Sequence, residues 1–443
     1  MRRLTLVLAI LISSALIGVL GQAMPWASAL FILLLIMFTY MIMVNLLLWF
    51  DDLLPSRAER KNQCTWNGEQ EGWPHISIVI PAHNEGPVIR SLVKQLFQLD
   101  YPRFDVLVMD DRSTDSTPSV LAQLAQEYAD KPFRFISRDP SVVPGKSAVL
   151  NDALAVIQGD LIAIFDADAQ VVPDFFNGLV PVLMDDERVA GVQARKVIGN
   201  TEQGVLADCT NDEYMLDALI QYGRDRIGGG VEFRGNGMLV KRAAMNDVGG
   251  WNEDSITDDL DLSTRLHMAG WEIRFVPTTT VIEEGIVKPA PLLRQRRRWT
   301  QGALERYLDY APKILFSDAG GWTLKMDVVA YIIEFLYPMW VVMDHVYTIG
   351  QLIWGEPYSF HTWSTFMLLP LLGVFFAGMF MAALVRFDKT LRWWELPYRS
   401  VRSTLYMLLT WVPMTIYVMG KMAIRKQQGF NWGKTEHFGL SPS

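Results

Sequence analysis

Cysteine is nearly absent: Cys64 and Cys209 are the two in 443 residues. They lie far apart and lack metal-ligand spacing, which excludes a disulfide scaffold and a cysteine-rich zinc site. They read as two unpaired thiols in a reducing compartment. Charge is also scarce, at 20% of residues, and the formal net charge is -8. With no basic excess, nucleic acid is not expected as a partner, and the single local arginine cluster needs its own explanation. Internal repeats and low-complexity tracts are likewise missing.

What the chain has in quantity is apolar side chains, 50% of the total, with a mean hydropathy of +0.16. That is too oily for an ordinary soluble protein, so part of the chain is expected in a lipid bilayer. Arg2 and Arg3 precede an apolar run over residues 4–20, and Ala27-Ser28-Ala29 resembles a signal-peptide cleavage site. A second run over residues 30–50 reaches the roughly 20 residues needed to cross a hydrocarbon core. An uncleaved transmembrane hairpin over residues 1–52 therefore accounts for both runs. Arg57, Arg60 and Lys61 after it match Arg2 and Arg3 before it, placing both ends, and the domain over residues 74–312, in the cytoplasm.

Residues 313–424 read as an interfacial segment and C-terminal membrane helices, with apolar stretches near 328–354, 366–385 and 405–419, followed by a tail over 425–443. Three crossings would carry Arg425, Lys426 and Lys434 to the far side, against the positive-inside tendency; a re-entrant or surface-lying stretch would remove the conflict. Glu334 and Asp344 inside the first stretch are costly in lipid and are read either as an acceptor path or as helix-helix polar contacts.

Between residues 76 and 168, short β-rich runs alternate with helical stretches, the signature of a parallel sheet with helices on both faces. Strands are expected over 76–80, 106–109, 133–136 and 161–165, and helices near 92–99 and 117–128. Further on, strands are expected over 190–195 and 238–241 and helices over 210–222 and 258–268. In such a sheet, ligands gather at the carboxyl ends of the strands, and three polar clusters fall there.

Asp166-Ala167-Asp168 follows the fourth run, and two carboxylates at that spacing suit Mg²⁺ or Mn²⁺ bridging two phosphates, with a solvated acidic turn as the plain alternative. Asp110 and Asp111 close the second run, while the first ends in Pro81-Ala82-His83-Asn84-Glu85. A carboxylate there can accept the imide N–H of a uracil-like base, with Pro81 and Glu85 in the loop that brackets base and ribose. Asp115 is favoured as a helix cap, and His83, lacking a partner, as a polar loop residue. Lys146 opens a helix after Gly145, an anion-attracting place. Thr257-Asp258-Asp259-Leu260-Asp261 opens another helix, and one of these acids can take the proton of an attacking hydroxyl; satisfying the helix dipole is the other reading, strongest for Asp261. In Gln295-Arg296-Arg297-Arg298-Trp299, Arg296 or Arg297 reads as a membrane-surface anchor. Arg298 supplies a fork for a diphosphate and Trp299 an indole face for a sugar ring.

Taken together, Asp110-Asp111, Asp166-x-Asp168, Asp258-Asp259-x-x-Leu262 and Gln295-x-x-Arg298-Trp299 resemble the motifs of family 2 membrane glycosyltransferases, over roughly residues 74–310 plus the membrane layout. The resemblance implies an α/β GT-A (Rossmann-like) cytosolic domain, an inverting mechanism and a divalent cation, Mg²⁺ or Mn²⁺. It implies that Pro81, Glu85, Asp110, Asp111, Lys146, Asp166, Gln295 and Arg298 bind the nucleotide sugar and that Asp166 and Asp168 hold the metal. Asp259 would be the general base. Gly235, Asn236, Gly237, Asp258 and Trp299 would form the acceptor side, the first three in the loop Phe233-Arg234-Gly235-Asn236-Gly237. The segment after Trp299 lacks the Phe-x-Val-Thr-x-Lys pattern of cellulose synthases, whereas Arg306-Tyr307-Leu308-Asp309-Tyr310 is similar to cyanobacterial β-monoglucosyldiacylglycerol synthases. The expected reaction is transfer of a sugar, glucose favoured, from a UDP-sugar to a lipid acceptor in the bilayer of a bacterial inner or cyanobacterial membrane. A processive polysaccharide synthase with a glycan acceptor is the alternative, and a non-enzymatic scaffold the reading from a different class.

Overall fold

The computed structural model describes residues 72–316, 321–355 and 360–424. The hairpin expected over 1–52, Cys64 and the tail over 425–443 lie outside the described residues. The chain divides into two units: one holds the described residues up to Tyr214 together with Arg224–Pro291, the other holds Met215–Gly223 and the chain from Leu292 onward.

The first unit is built on one eight-stranded sheet in the order β3-β2-β1-β4-β7-β6-β8-β5. Its strands are β1 (Ile76–Ala82), β2 (Phe104–Asp110), β3 (Phe133–Ser137), β4 (Leu161–Ile164), β5 (Gln170–Val171), β6 (Val189–Ile198), β7 (Met238–Lys241) and β8 (Glu272–Glu283). β1 is buried at all seven positions, as a central parallel strand covered on both faces must be. It pairs in parallel with β2 and β4, and β2 with β3. The crossovers are α1 (Gly86–Leu96), α2 (Thr117–Glu127) and α3 (Lys146–Val156). Pro87 and Pro118 stand in the first turns of α1 and α2, where the missing N–H costs nothing. α1 turns Val88, Ile89, Leu92, Val93 and Leu96 into a core that also holds Phe165, Phe175 and Phe176. Phe175 and Phe176 come from α4 (Phe175–Met184).

Beyond β4 the polarity reverses. β7 runs antiparallel to both β4 and β6, and β6 is parallel to β8. The β6–β8 register jumps between Ala194 and Arg195, their partners being Val276 and Thr280, so residues 277–279 stand out of the ladder. α5 (Val205–Ile227), α6 (Arg242–Asp247) and α7 (Asp258–Met268) complete the series; α5 ends at Gly228 in the left-handed conformation.

The second unit contains α8 (Pro289–Leu315) from Leu292 on, α9 (Trp322–Ile353), α10 (Phe360–Phe387) and α11 (Leu396–Ile424). Three segments, Trp322–Ile353, Pro370–Phe387 and Leu396–Ile424, are long and apolar enough to cross a membrane. Polar groups turn inward here: Asp327, Asp344 and Thr348 are buried, while Val346, Val374 and Leu409 are exposed, the arrangement lipid demands. Glu334 is exposed, unlike Asp344 on the same helix.

Candidate active site

Both loops that follow β1 and β2 depart from ordinary backbone geometry and brace one another. Asn84 and Arg112 are the two non-glycine residues with positive φ among the described residues, at 57° and 60°. The Asn84 Oδ1 accepts the N–H of Thr114 at 2.7 Å and of Asp115 at 3.2 Å, and the Asn84 N–H donates to Ser113 Oγ at 2.7 Å. The Glu85 N–H donates to Thr117 Oγ1 at 2.8 Å. Asp115 accepts the N–H of Thr117 at 2.9 Å and of Gly86 at 3.3 Å, so it ties the starts of α1 and α2 together in addition to supporting its own turn. Pro81 sits inside β1 opposite Met109.

The two acids at the end of β2 are both buried. Asp110 Oδ1 accepts the Ser113 N–H at 3.2 Å and its Oδ2 the Ser137 hydroxyl at 3.2 Å. Asp111 accepts from Arg138 at 2.8 Å and Arg112 at 2.9 Å, and from the N–H of Gly145 at 3.2 Å. Its side chain is fully enclosed, so this carboxylate joins the β2 loop to the start of α3. His83 Nδ1 donates to the Asp111 carbonyl at 2.7 Å, a further tie between the loops that follow β1 and β2.

At the end of β4 the chemistry thickens. Lys146, in the first turn of α3, donates to Asp166 Oδ1 at 2.6 Å and to the Gly235 carbonyl at 3.1 Å. Burial works against its ammonium, but the carboxylates of Asp166, Asp258 and Asp259 outweigh that and hold it charged. Gly235 has φ +75°, and a Cβ there would stand 3.2 Å from Asp259 Oδ2 and 3.7 Å from Lys146 Nζ. Lys146, Asp166, Gly235 and Asp259 are therefore gathered around one glycine. Burial, then the neighbouring Asp258, push the Asp259 carboxyl up to about 6, against the pull of Lys146. The turn carrying Gly235 is stapled to α7, because the Phe233 N–H donates to Ser263 Oγ at 2.8 Å and Ser263 in turn donates to the Asp259 carbonyl at 2.7 Å. Asp261 faces elsewhere, bonded to Arg265 at 2.7 Å and Asn252 at 3.1 Å.

Several residues of this neighbourhood carry no signal in the motifs. Gln193 on β6 accepts the Arg234 N–H at 2.8 Å and donates to the Asn236 carbonyl at 2.9 Å, holding the glycine turn from behind. Asp168 accepts the Glu284 N–H at 3.1 Å, and Glu283 accepts from Asn236 at 3.1 Å. The adjacent glutamates Glu283-Glu284 were the available sequence clue.

Asp166 and Asp168 are both partly exposed carboxylates on one turn. Among the described residues no group of three or more His, Cys, Asp or Glu side chains forms a metal cage. Two carboxylates with solvent beside them fit a hard divalent cation that takes its other ligands from phosphate and water.

Gln295, Arg298 and Trp299 stand on α8, in the second unit. Arg296 does not behave as the surface anchor expected from the sequence: it is the largest fully buried side chain of the described residues. Its guanidinium lies 4.9 Å from the Trp299 ring and 4.7 Å from the Trp411 ring, and Nη2 donates to the Tyr406 hydroxyl at 2.9 Å. The two indoles stack at 6.4 Å. α11 supplies this box, which spacing along α8 could not reveal.

Residues 74–302 match the family model described as "Glycosyltransferase like family 2". The β-monoglucosyldiacylglycerol synthase of Nostoc sp. is 37% identical over 84% of this chain and 78% of its own length. That of Synechocystis sp. is 35% identical over 82% and 75%. Among solved structures, a mannosyltransferase from Pyrobaculum calidifontis, in complex with GDP-Man and Mn²⁺, superposes with a TM-score of 0.57 at 20% identity, over 86% of this chain and 98% of that one. It shares the fold, a GT-A-like sheet flanked by helices. By the length of the family match and the identity to these synthases, the chain belongs to glycosyltransferase family 2.

Proposed function

We propose that this protein transfers glucose from UDP-glucose to diacylglycerol at the cytoplasmic face of a membrane, inverting the anomeric carbon to give β-monoglucosyldiacylglycerol. The synthases with which it shares 35–37% identity support the acceptor and the sugar. The observation that carries the chemistry is the placement of Asp259 and the Lys146–Asp166 pair around Gly235, which supports reading Asp259 as a proton acceptor and the Asp166 turn as a phosphate site.

The acceptor hydroxyl oxygen attacks the anomeric carbon, and its proton passes to the Asp259 carboxylate. The bond from that carbon to the diphosphate oxygen breaks, and its electron pair leaves with UDP. An aspartate pushed up to about 6 is ionised at neutral pH yet basic enough to receive this proton. Asp166 and Asp168 would hold Mg²⁺ or Mn²⁺, which when bound offsets the charge of the diphosphate. Lys146 supplies a permanent cation at the same turn. The buried acids Asp110 and Asp111 would define the nucleotide pocket, Asp110 accepting the uracil imide and Asp111 acting through Arg112 and Arg138, with Glu85 on its rim; Pro81, expected in the same loop, is a buried residue of β1. Gly235, Gly237 and Asp258 would face the acceptor, whereas the Asn236 side chain, expected on that side, is wholly buried and bonded to the Asp166 N–H and Glu283 instead. For Gln295 and Arg298 as diphosphate ligands and Trp299 as the acceptor floor, the support is the resemblance of their motif.

Purified protein in detergent, given UDP-[¹⁴C]glucose and diacylglycerol with Mg²⁺ or Mn²⁺, should form one organic-soluble glycolipid. An ethanol-insoluble polymer would overturn the lipid acceptor, and incorporation from a different UDP-sugar alone would overturn the donor.

A further inference from the structure

Glu283, the last residue of β8, is 12% exposed and has three partners. Its Oε1 accepts the Tyr214 hydroxyl at 2.6 Å; its Oε2 accepts Asn236 Nδ2 at 3.1 Å and pairs with the Lys196 ammonium at 2.9 Å. Asn236 is wholly buried, and its Oδ1 accepts the peptide N–H of Asp166 at 3.2 Å. A carboxylate only accepts, whereas an amide has distinct donating and accepting ends. The Glu283 carboxylate, which accepts from the Asn236 amide and pairs with Lys196, therefore fixes which end of Asn236 points at Asp166. The next two residues clamp the same turn and their own strand: the Glu284 N–H donates to Asp168 Oδ2 at 3.1 Å, and Gly285 exchanges two hydrogen bonds with Asn200, at 2.7 and 3.0 Å.

We propose that Glu283 is a positioning residue for the Asp166-Ala167-Asp168 turn, setting its attitude toward a divalent cation and diphosphate through Asn236. This rests on the reading of Asp166 and Asp168 given above. Residues that orient metal ligands from behind typically change metal affinity about 10- to 100-fold when removed. Tyr214 offers the contrast, since its hydroxyl binds the other oxygen of Glu283 from the one that Asn236 binds.

The decisive measurement is the Mn²⁺ dissociation constant of the full-length protein at saturating UDP, read from the electron paramagnetic resonance signal of free Mn²⁺, alongside KM and kcat. Glu283→Ala should weaken Mn²⁺ about tenfold and Glu283→Gln about threefold. The double variant E283A/N236A should be no weaker than E283A, because the two act in series. Y214F should lower the melting temperature while leaving Mn²⁺ affinity within about twofold of wild type. Wild-type Mn²⁺ affinity in whichever Glu283 variant folds would overturn the inference, as would a loss in Y214F equal to that in E283A. Failure of the wild-type protein itself to bind Mn²⁺ with UDP would instead overturn the metal assignment to Asp166 and Asp168.

Discussion

Replacing Asp259 with asparagine separates the cost of this side chain from its use. Its carboxyl is raised from the ordinary 3.8 to about 6. At about 1.4 kcal/mol per pKa unit, the folded state carries a penalty of about 3 kcal/mol, a ceiling because the side chain is only partly buried and water screens it. Below pH 3.8 both folded and unfolded chains hold the proton and there is no penalty. As pH rises from 3.8 to about 6 the unfolded chain releases its proton first, so folding loses stability through that window and the loss then levels off. Asp259→Asn should therefore raise thermal stability at pH 7.5 and leave it unchanged near pH 3.5. Turnover should fall by about 10²–10⁴-fold, the usual contribution of a general base, while UDP affinity measured by calorimetry stays within about twofold. In the wild type, kcat/KM should drop about tenfold per pH unit below 6. A variant that retains turnover within tenfold, or that is equally destabilised at both pH values, would refute the assignment.

Arg138→Met removes a guanidinium, 3% exposed, from the enclosed carboxylate of Asp111, and should cost about 3 kcal/mol in chemical denaturation; a loss under about 0.5 kcal/mol would show that Arg112 suffices. Gly237 has φ +67°, and a Cβ there would lie 2.5 Å from Val281 Cγ1. Gly237→Ala should thus destabilise by more than the roughly 1–2 kcal/mol of left-handed strain, and Val281→Ala in the same chain should recover the excess, measured as melting temperature. Arg296→Met breaks two contacts worth about 0.5–2 kcal/mol each and one hydrogen bond, so the detergent-solubilised protein should melt earlier; an unaltered melt would deny the box any stabilising role.

Much of the sheet was legible because its central strands are continuous apolar runs bounded by polar turns. The expected strand at 238–241 and helix at 258–268 match β7 and α7 residue for residue. The helix expected over 210–222 extends to Val205–Ile227, since its flanking glycines, Gly204 and Gly228, and not its apolar stripe, set the ends. β8 was not legible: Glu272, Arg274, Pro277 and three threonines break any alternation, and the ladder with β6 resumes only after residues 277–279 are skipped. β5 is two residues long and α4 contains Gly178 and Pro181, so neither presents a periodic signal. The grouping of Lys146 with Gly235 depends on contacts 89 residues apart, beyond any local pattern. Arg296 misled because a basic triplet shows charge but not the aromatic walls that enclose one of its members.

The reversal of direction between β4 and β7 has a consequence for how such enzymes diversify. Ile164 pairs with Met238, and the Gly237 N–H donates to the Ile164 carbonyl at 3.0 Å, so the exit of one strand and the entrance of the next meet at a fixed point. Asn236, immediately upstream, accepts the Asp166 N–H and Gly235 accepts from Lys146, so the segment leading into this point is tied to the acidic turn. An alteration in this lead-in segment is therefore felt at the acidic turn, and the two are expected to vary in concert.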